Sequence, residues 1–181
     1  AGEDFYFLQK ISWLGQVTEL TEATVFPSPR LSDRVPFGTG KAIGDFIESQ
    51  KQTTYPLQAY QDVEWLIKQT EILWSAGRFA EPAPEPLARF LGEDFLKTVL
   101  PEIRKNSTDL KKFCKRFFRW FNAFRLMKYL NYARDEAYGP AQVEVAAEAL
   151  LFRMGSPAEN ENAAELLKRY RQLDRDSEVK N

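Results

Sequence analysis

From residue 57 onward apolar side chains recur every three or four positions, a period that commits most of the chain to amphipathic helices. In 57–76, Tyr60, Val63, Ile67, Thr70 and Trp74 fall on one stripe flanked by Leu66 and Leu73. Val143, Ala146, Ala147, Leu150, Leu151 and Met154 draw a second, and Ala163, Leu166, Leu167, Tyr170 and Leu173 a third, over 157–175. Nearer the start, Phe7, Ile11, Leu14, Thr18, Thr21 and Val25 predict a helix over 4–26, weakened by Gly15 and by β-branched residues in its second half. A short helix follows over 40–52. The expected fold class is all-α: an irregular bundle of six or seven helices in one domain over 1–181.

Glycine, proline and short polar residues punctuate these segments. Two proline-rich stretches, 27–39 and 80–86, read as surface connectors, and 176–181 as a frayed tail. Gly77 is placed to cap 57–76, and 87–91 reads as a short apolar turn before a helix from Glu93 kinked by Pro101. Asn106, Ser107, Thr108 and Asp109 offer caps for the strongest helical stretch, 108–138. The same residues spell a glycosylation sequon, but the cap is preferred because the segment leads straight into a helix and no secretory signal is present. Gly139 and Pro140 are expected to end that helix and begin the next. In 155–159, Gly155 closes a helix, Ser156 caps the following one, and Pro157 and Glu159 take its first and third positions.

The chain has no histidine and one cysteine. Triad and Cys-His mechanisms, histidine-ligated catalytic zinc, thiolate-rich zinc sites and iron–sulfur clusters therefore all lack their ligands. No disulfide or metal is expected to support the fold, no cofactor is implied, and a non-enzymatic role follows. The 25 basic and 26 acidic residues nearly cancel, which argues against a generic polyelectrolyte binder. No run approaches the roughly 18 apolar residues of a membrane span, and the opening Ala1-Gly2-Glu3-Asp4 lacks a signal peptide's basic region, so a soluble chain of open compartment is expected. A start without methionine fits a processed mature protein and a shortened chain equally.

Three chemical motifs fall short. Phe37-Gly38-Thr39-Gly40-Lys41 resembles part of a phosphate loop, but Val35 stands at its first glycine and Ala42 at its hydroxyl position. Glu144 and Glu148 share a helix face, yet no histidine completes a di-iron set, so a solvated face is expected. Cys114 has Lys111, Lys115 and Arg116 nearby, but without a base it reads as a buried, inert thiol.

The distinctive segment is 111–134. At 100° per residue, Leu110, Phe113, Cys114, Phe117, Trp120, Phe121 and Phe124 share one side, and Lys111, Lys112, Lys115, Arg116 and Arg119 the other. Beyond Phe124 the phase rotates, so that Arg125 and Lys128 come to the aromatic side. A break near Asn122 to Arg125 would explain this, and so would an unbroken helix contacted by different neighbours at each end; with no Pro or Gly to mark a kink, the second is expected. Arg125 and Lys128 are then expected to pair with an Asp or Glu of another helix, the alternatives being an anion or a partner's carboxylate, or simple exposure at a local helix break. Trp65 and Ile72 lie off the main stripe of 57–76 and can anchor a partner, or be covered by packing on a second side.

These features favour an interaction or accessory subunit of a larger protein assembly. Its binding residues are Lys111, Lys112, Lys115, Arg116, Arg119, Arg125, Lys128, Trp65 and Ile72. The alternative is binding of nucleic acid or another anionic ligand through the basic face of 108–138. Peripheral contact with an acidic membrane stays open.

Overall fold

The computed structural model describes residues 3–11, 25, 40, 43, 44, 47, 48, 52–158 and 161–178. The 27–39 connector, the phosphate-loop-like motif apart from Gly40, and 179–181 lie outside the described residues. The fold is all-α. Its helices are α1 (Glu3–Ile11), α2 (Leu57–Lys68), α3 (Thr70–Ala76), α4 (Glu85–Leu91), α5 (Leu100–Lys105), α6 (Leu110–Trp120), α7 (Ala123–Tyr132), α8 (Val143–Arg153) and α9 (Ala163–Glu178). Among the described residues the only sheet pairs β1 (Thr53–Thr54) with β2 (Ala141–Gln142). Packing divides the chain into two compact units, 53–141 on the one hand and 1–52 with 142–181 on the other.

In the 53–141 unit the expected 57–76 helix is two, α2 and α3, parted at Gln69. Gln69 is buried, and its side-chain oxygen accepts from the Ala80 amide at 3.0 Å, which ties the connector to the break. α3 ends at Gly77 as expected, with φ 69° and its amide donating to the Leu73 carbonyl at 3.2 Å. The α3 carbonyls of Trp74 and Ser75 receive Arg104 Nε at 2.9 Å and its terminal nitrogen at 3.0 Å, a cation set on a helix C-terminus. A Cβ at residue 77 would collide with that guanidinium. Gly77→Ala therefore combines left-handed strain with displacement of Arg104, and is expected to cost about 1–3 kcal/mol in urea denaturation. A change within about 0.5 kcal/mol, the range of a neutral surface substitution, would count against that account.

The turn expected at 87–91 is a helix, α4, opened by Pro86 in its first turn, where a missing amide costs nothing. Pro101 clashes with the carbonyl four residues back wherever it stands inside an α-helix. The chain meets this with a π turn over Phe95–Val99, and Pro101 falls at the start of α5.

The expected single helix over 108–138 is broken. Asp109 caps α6 by accepting from the Lys112 amide at 2.8 Å. At Phe121 the backbone leaves helical values (φ −87°, ψ 62°), and Asn122 starts α7 by accepting from the Arg125 amide at 3.0 Å. An asparagine cap thus does what no proline or glycine was present to do. A second π turn, Ala133–Tyr138, follows α7 directly. Pro140 then lies before β2 rather than in the next helix, which starts at Val143.

The core of this unit is aromatic: Phe95, Phe113, Phe117 and Tyr129 are at most 1% exposed and pack with Leu66, Leu73, Leu87 and Leu100. Each such side chain contributes about 1.5–3 kcal/mol by leaving water. They lock α6 between α3 and α5, and α7 between α2 and α4.

In the other unit α8 packs on α9. α8 closes at Gly155 (φ 75°), with Gly155 donating to Phe152 and Ser156 to Leu151, so Ser156 completes a C-terminal cap instead of opening a helix. α9 begins later than expected, at Ala163. Asn162 accepts from the Ala164 and Glu165 amides while Glu165 reaches back to the Asn162 amide at 2.8 Å. This reciprocal box is a stronger start signal than Ser156 with Glu159.

Candidate functional site

Phe113 and Phe117 bury one face of α6, which leaves Lys111, Lys112, Lys115, Arg116 and Arg119 exposed on the other. Between Leu110 and Tyr132 the chain carries seven Lys or Arg and no Asp or Glu. Lys112 donates to Thr108 at 2.8 Å and lies 3.6 Å from Asp109, the cap residue just outside that stretch. The Lys112 amide, first, holds the Asp109 carboxyl below the usual range.

Trp120, at the end of α6, is shared by two grooves. One, of about 420 Å³, is lined by Val99, Ile103, Asn106 and Glu102 together with Arg116 and Arg119. The other, of about 370 Å³, lies at the α6–α7 break and is lined by Phe90, Trp120, Asn122, Phe124, Arg125 and Lys128. Among the described residues, the first is lined by a carboxylate, Glu102, and the second by none.

The break settles where Arg125 and Lys128 go. Neither has a carboxylate partner among the described residues, in contrast to the pairing expected of a continuous helix. The half-buried Arg125 guanidinium lies 4.0 Å from the Trp120 ring centre, and the exposed Lys128 ammonium 4.7 Å from that of Phe124. A ring face attracts a cation by about 0.5–2 kcal/mol without cancelling its charge. Burial pushes the Arg125 pKa down, as expected of a desolvated cation.

Trp65 and Ile72 stand elsewhere. Trp65 is half-buried under the connector: its ring meets Phe79 at 5.0 Å and its indole donates to Glu81 at 2.8 Å. Ile72 is half-buried on α3, Cys114 is half-buried against the core, and Glu144 and Glu148 are exposed on α8.

One polar cluster has no counterpart in the sequence reading. Asp62 on α2 is 6% exposed, and its Oδ2 accepts from the Tyr129 hydroxyl and, at 2.8 Å, from that of Tyr138. Burial first, and then the bond to Asp62, pushes Tyr138 up to about 12 and raises Tyr129 further. Both phenols thus act as hydrogen-bond donors to Asp62. Among the described residues no group of three or more His, Cys, Asp or Glu is placed to hold a metal ion, and no helix is long and apolar enough to cross a membrane.

Comparison with protein-family models, with curated proteins and with solved structures finds no match to this chain.

Proposed function

We propose that this chain is a non-enzymatic interaction subunit of a larger protein assembly, and that it docks an acidic segment of its partner on the α6–α7 surface. The observation that carries this reading is the run of seven cations without one carboxylate, presented on helices whose opposite faces are fixed in an aromatic core. An acidic segment laid across Trp120 would meet Arg116 and Arg119 on one side and Arg125 and Lys128 on the other.

Nucleic acid is the second reading, since the same charges suit a phosphate backbone. Single strands, however, gain much of their affinity by stacking bases on open aromatic faces. Trp120 stacks on Phe95 at 5.1 Å and carries Arg125 at 4.0 Å, while Lys128 lies over Phe124. These rings hold cations in place, which favours the acidic protein.

Fluorescence anisotropy with a labelled Asp/Glu-rich peptide and a labelled oligonucleotide tests the choice at about 50 mM salt, where electrostatic binding is strong. The peptide is expected to bind, to weaken as salt screens the charges, and to lose about tenfold or more on combined Lys111→Glu, Lys115→Glu and Arg119→Glu substitution. Binding that ignores charge reversal would sink the proposal, and tighter binding of the oligonucleotide would replace it with the second reading.

A further inference from the structure

We infer that the pocket at the α6–α7 break is a subsite for a phosphate monoester, carried either by a phosphorylated side chain of the docked segment or by a small phosphorylated molecule. The inference deepens the docking proposal and rests on it for the first of those two sources. Its basis is the mismatch between charge and counter-charge in one cavity. Among the described residues, Arg125 and Lys128 both line it, no carboxylate lines it, and neither cation has an acidic partner.

The stoichiometry and shape of the charges select the ligand. A guanidinium presents a planar fork of donors and an ammonium a compact point charge. Together they supply two positive charges and at least three donor directions. A carboxylate neutralises one charge with two oxygens, whereas a phosphate monoester carries about −1.5 to −2 at neutral pH on three strong acceptor oxygens. The monoester therefore balances the pair and the carboxylate leaves it half-compensated.

Arg125 is also pre-positioned, and Lys128 lies over the Phe124 ring. Arg125 is set on Trp120, which is backed by Phe95, and its own amide is held by Asn122. Binding then orders little that is not already ordered, which is how a small polar site gains affinity. At about 370 Å³ the cavity is at the small end of ligand pockets, room for one side-chain-sized group and not for an extended polymer.

The test uses the full chain, with the Trp120 indole N–H followed by NMR during titration with inorganic phosphate and with O-phosphoserine. A phosphoserine peptide is then compared with the same peptide carrying Glu at that position. Saturable movement of Trp120 is expected with both small probes. The phosphopeptide should bind about tenfold or more tightly than its Glu counterpart, and Arg125→Gln and Lys128→Gln should each weaken phosphoserine by about tenfold, the scale of one charge-assisted hydrogen bond. Lys128 is exposed, so its variant keeps the test open should Arg125→Gln unfold. Lys111→Glu with Lys115→Glu should weaken acidic peptides while leaving phosphoserine within about twofold.

Equal affinity for the phosphoserine and Glu peptides, no saturable movement of Trp120, or indifference to both pocket variants would overturn the subsite. Phosphoserine binding together with no acidic-peptide binding would support it, assign a small molecule as the source, and sink the docking reading alone.

Discussion

Phe117→Ala is expected to lower the unfolding free energy by about 3–5 kcal/mol, the range for removing a buried aromatic ring that its neighbours cannot close over. Phe117 has no exposed surface and is ringed by Phe95 at 6.3 Å, Phe113 at 5.9 Å, Trp120 at 6.1 Å and Phe121 at 6.4 Å between centroids. Those partners come from α6 itself, the π turn before α5 and the α6–α7 break. Three backbone segments would all have to move to fill the void, and interiors close-packed by rings do so poorly. Against a typical domain stability of about 5–15 kcal/mol the loss is a large fraction of the whole. Trp120 borders the cavity, so the emission of the protein in a urea titration reports the change. Phe118→Ala, at a half-buried site in edge contact with Phe117, should cost less. A loss below about 1 kcal/mol for Phe117→Ala would show that the core is not organised around this ring.

The same ring shows what the sequence made legible. Phe113, Phe117 and Phe121 recur every four residues, and that period by itself placed them inside and Lys111, Lys115 and Arg119 outside, because a helix fixes which side chains share a face. Gly77, Asp109 and Gly155 were readable as helix ends for the same local reason. Asn122 was readable too, since asparagine is a strong cap. Its signal was the abrupt change of phase after Phe124, which an unbroken helix explains only by invoking neighbours. Asn162 and Glu165 form an equally local box, hidden by the competing Gly155-Ser156-Pro157 pattern. Trp65 lies off the main stripe of α2, and the period says nothing about a connector folding back to cover it through Phe79 and Glu81. The charges of Arg125 and Lys128 were visible, whereas the absence of a carboxylate beside them among the described residues depends on what the break brings near.

Asp62 had no local signature at all, since its two hydroxyl partners lie 67 and 76 residues further along the chain. Its replacement set gives the second large effect expected here. A buried carboxylate is tolerated only where donors compensate for lost water, and Tyr129 and Tyr138 are the two donors to Asp62 Oδ2. Tyr129→Phe alone should cost about 1.5–3 kcal/mol, the value of a hydrogen bond to a charged group. Tyr129→Phe with Tyr138→Phe strands the charge and should cost about 3–5 kcal/mol. Adding Asp62→Leu removes the stranded group, so most of the loss should return, and a triple variant no more stable than the double would refute the account. The wild-type protein should show the same network in its pH dependence. Tyr138 titrates at about 12 in the folded chain and Tyr129 above its ordinary value, whereas in the unfolded chain both titrate near 10. Between about pH 10 and 12 the unfolded state releases protons that the folded state keeps, so stability is fully present below that window and falls as pH rises through it. Chemical denaturation at a series of pH values should therefore show an alkaline slope that the Tyr129→Phe, Tyr138→Phe variant lacks in large part, and an equal slope in both proteins would place the titrating groups elsewhere.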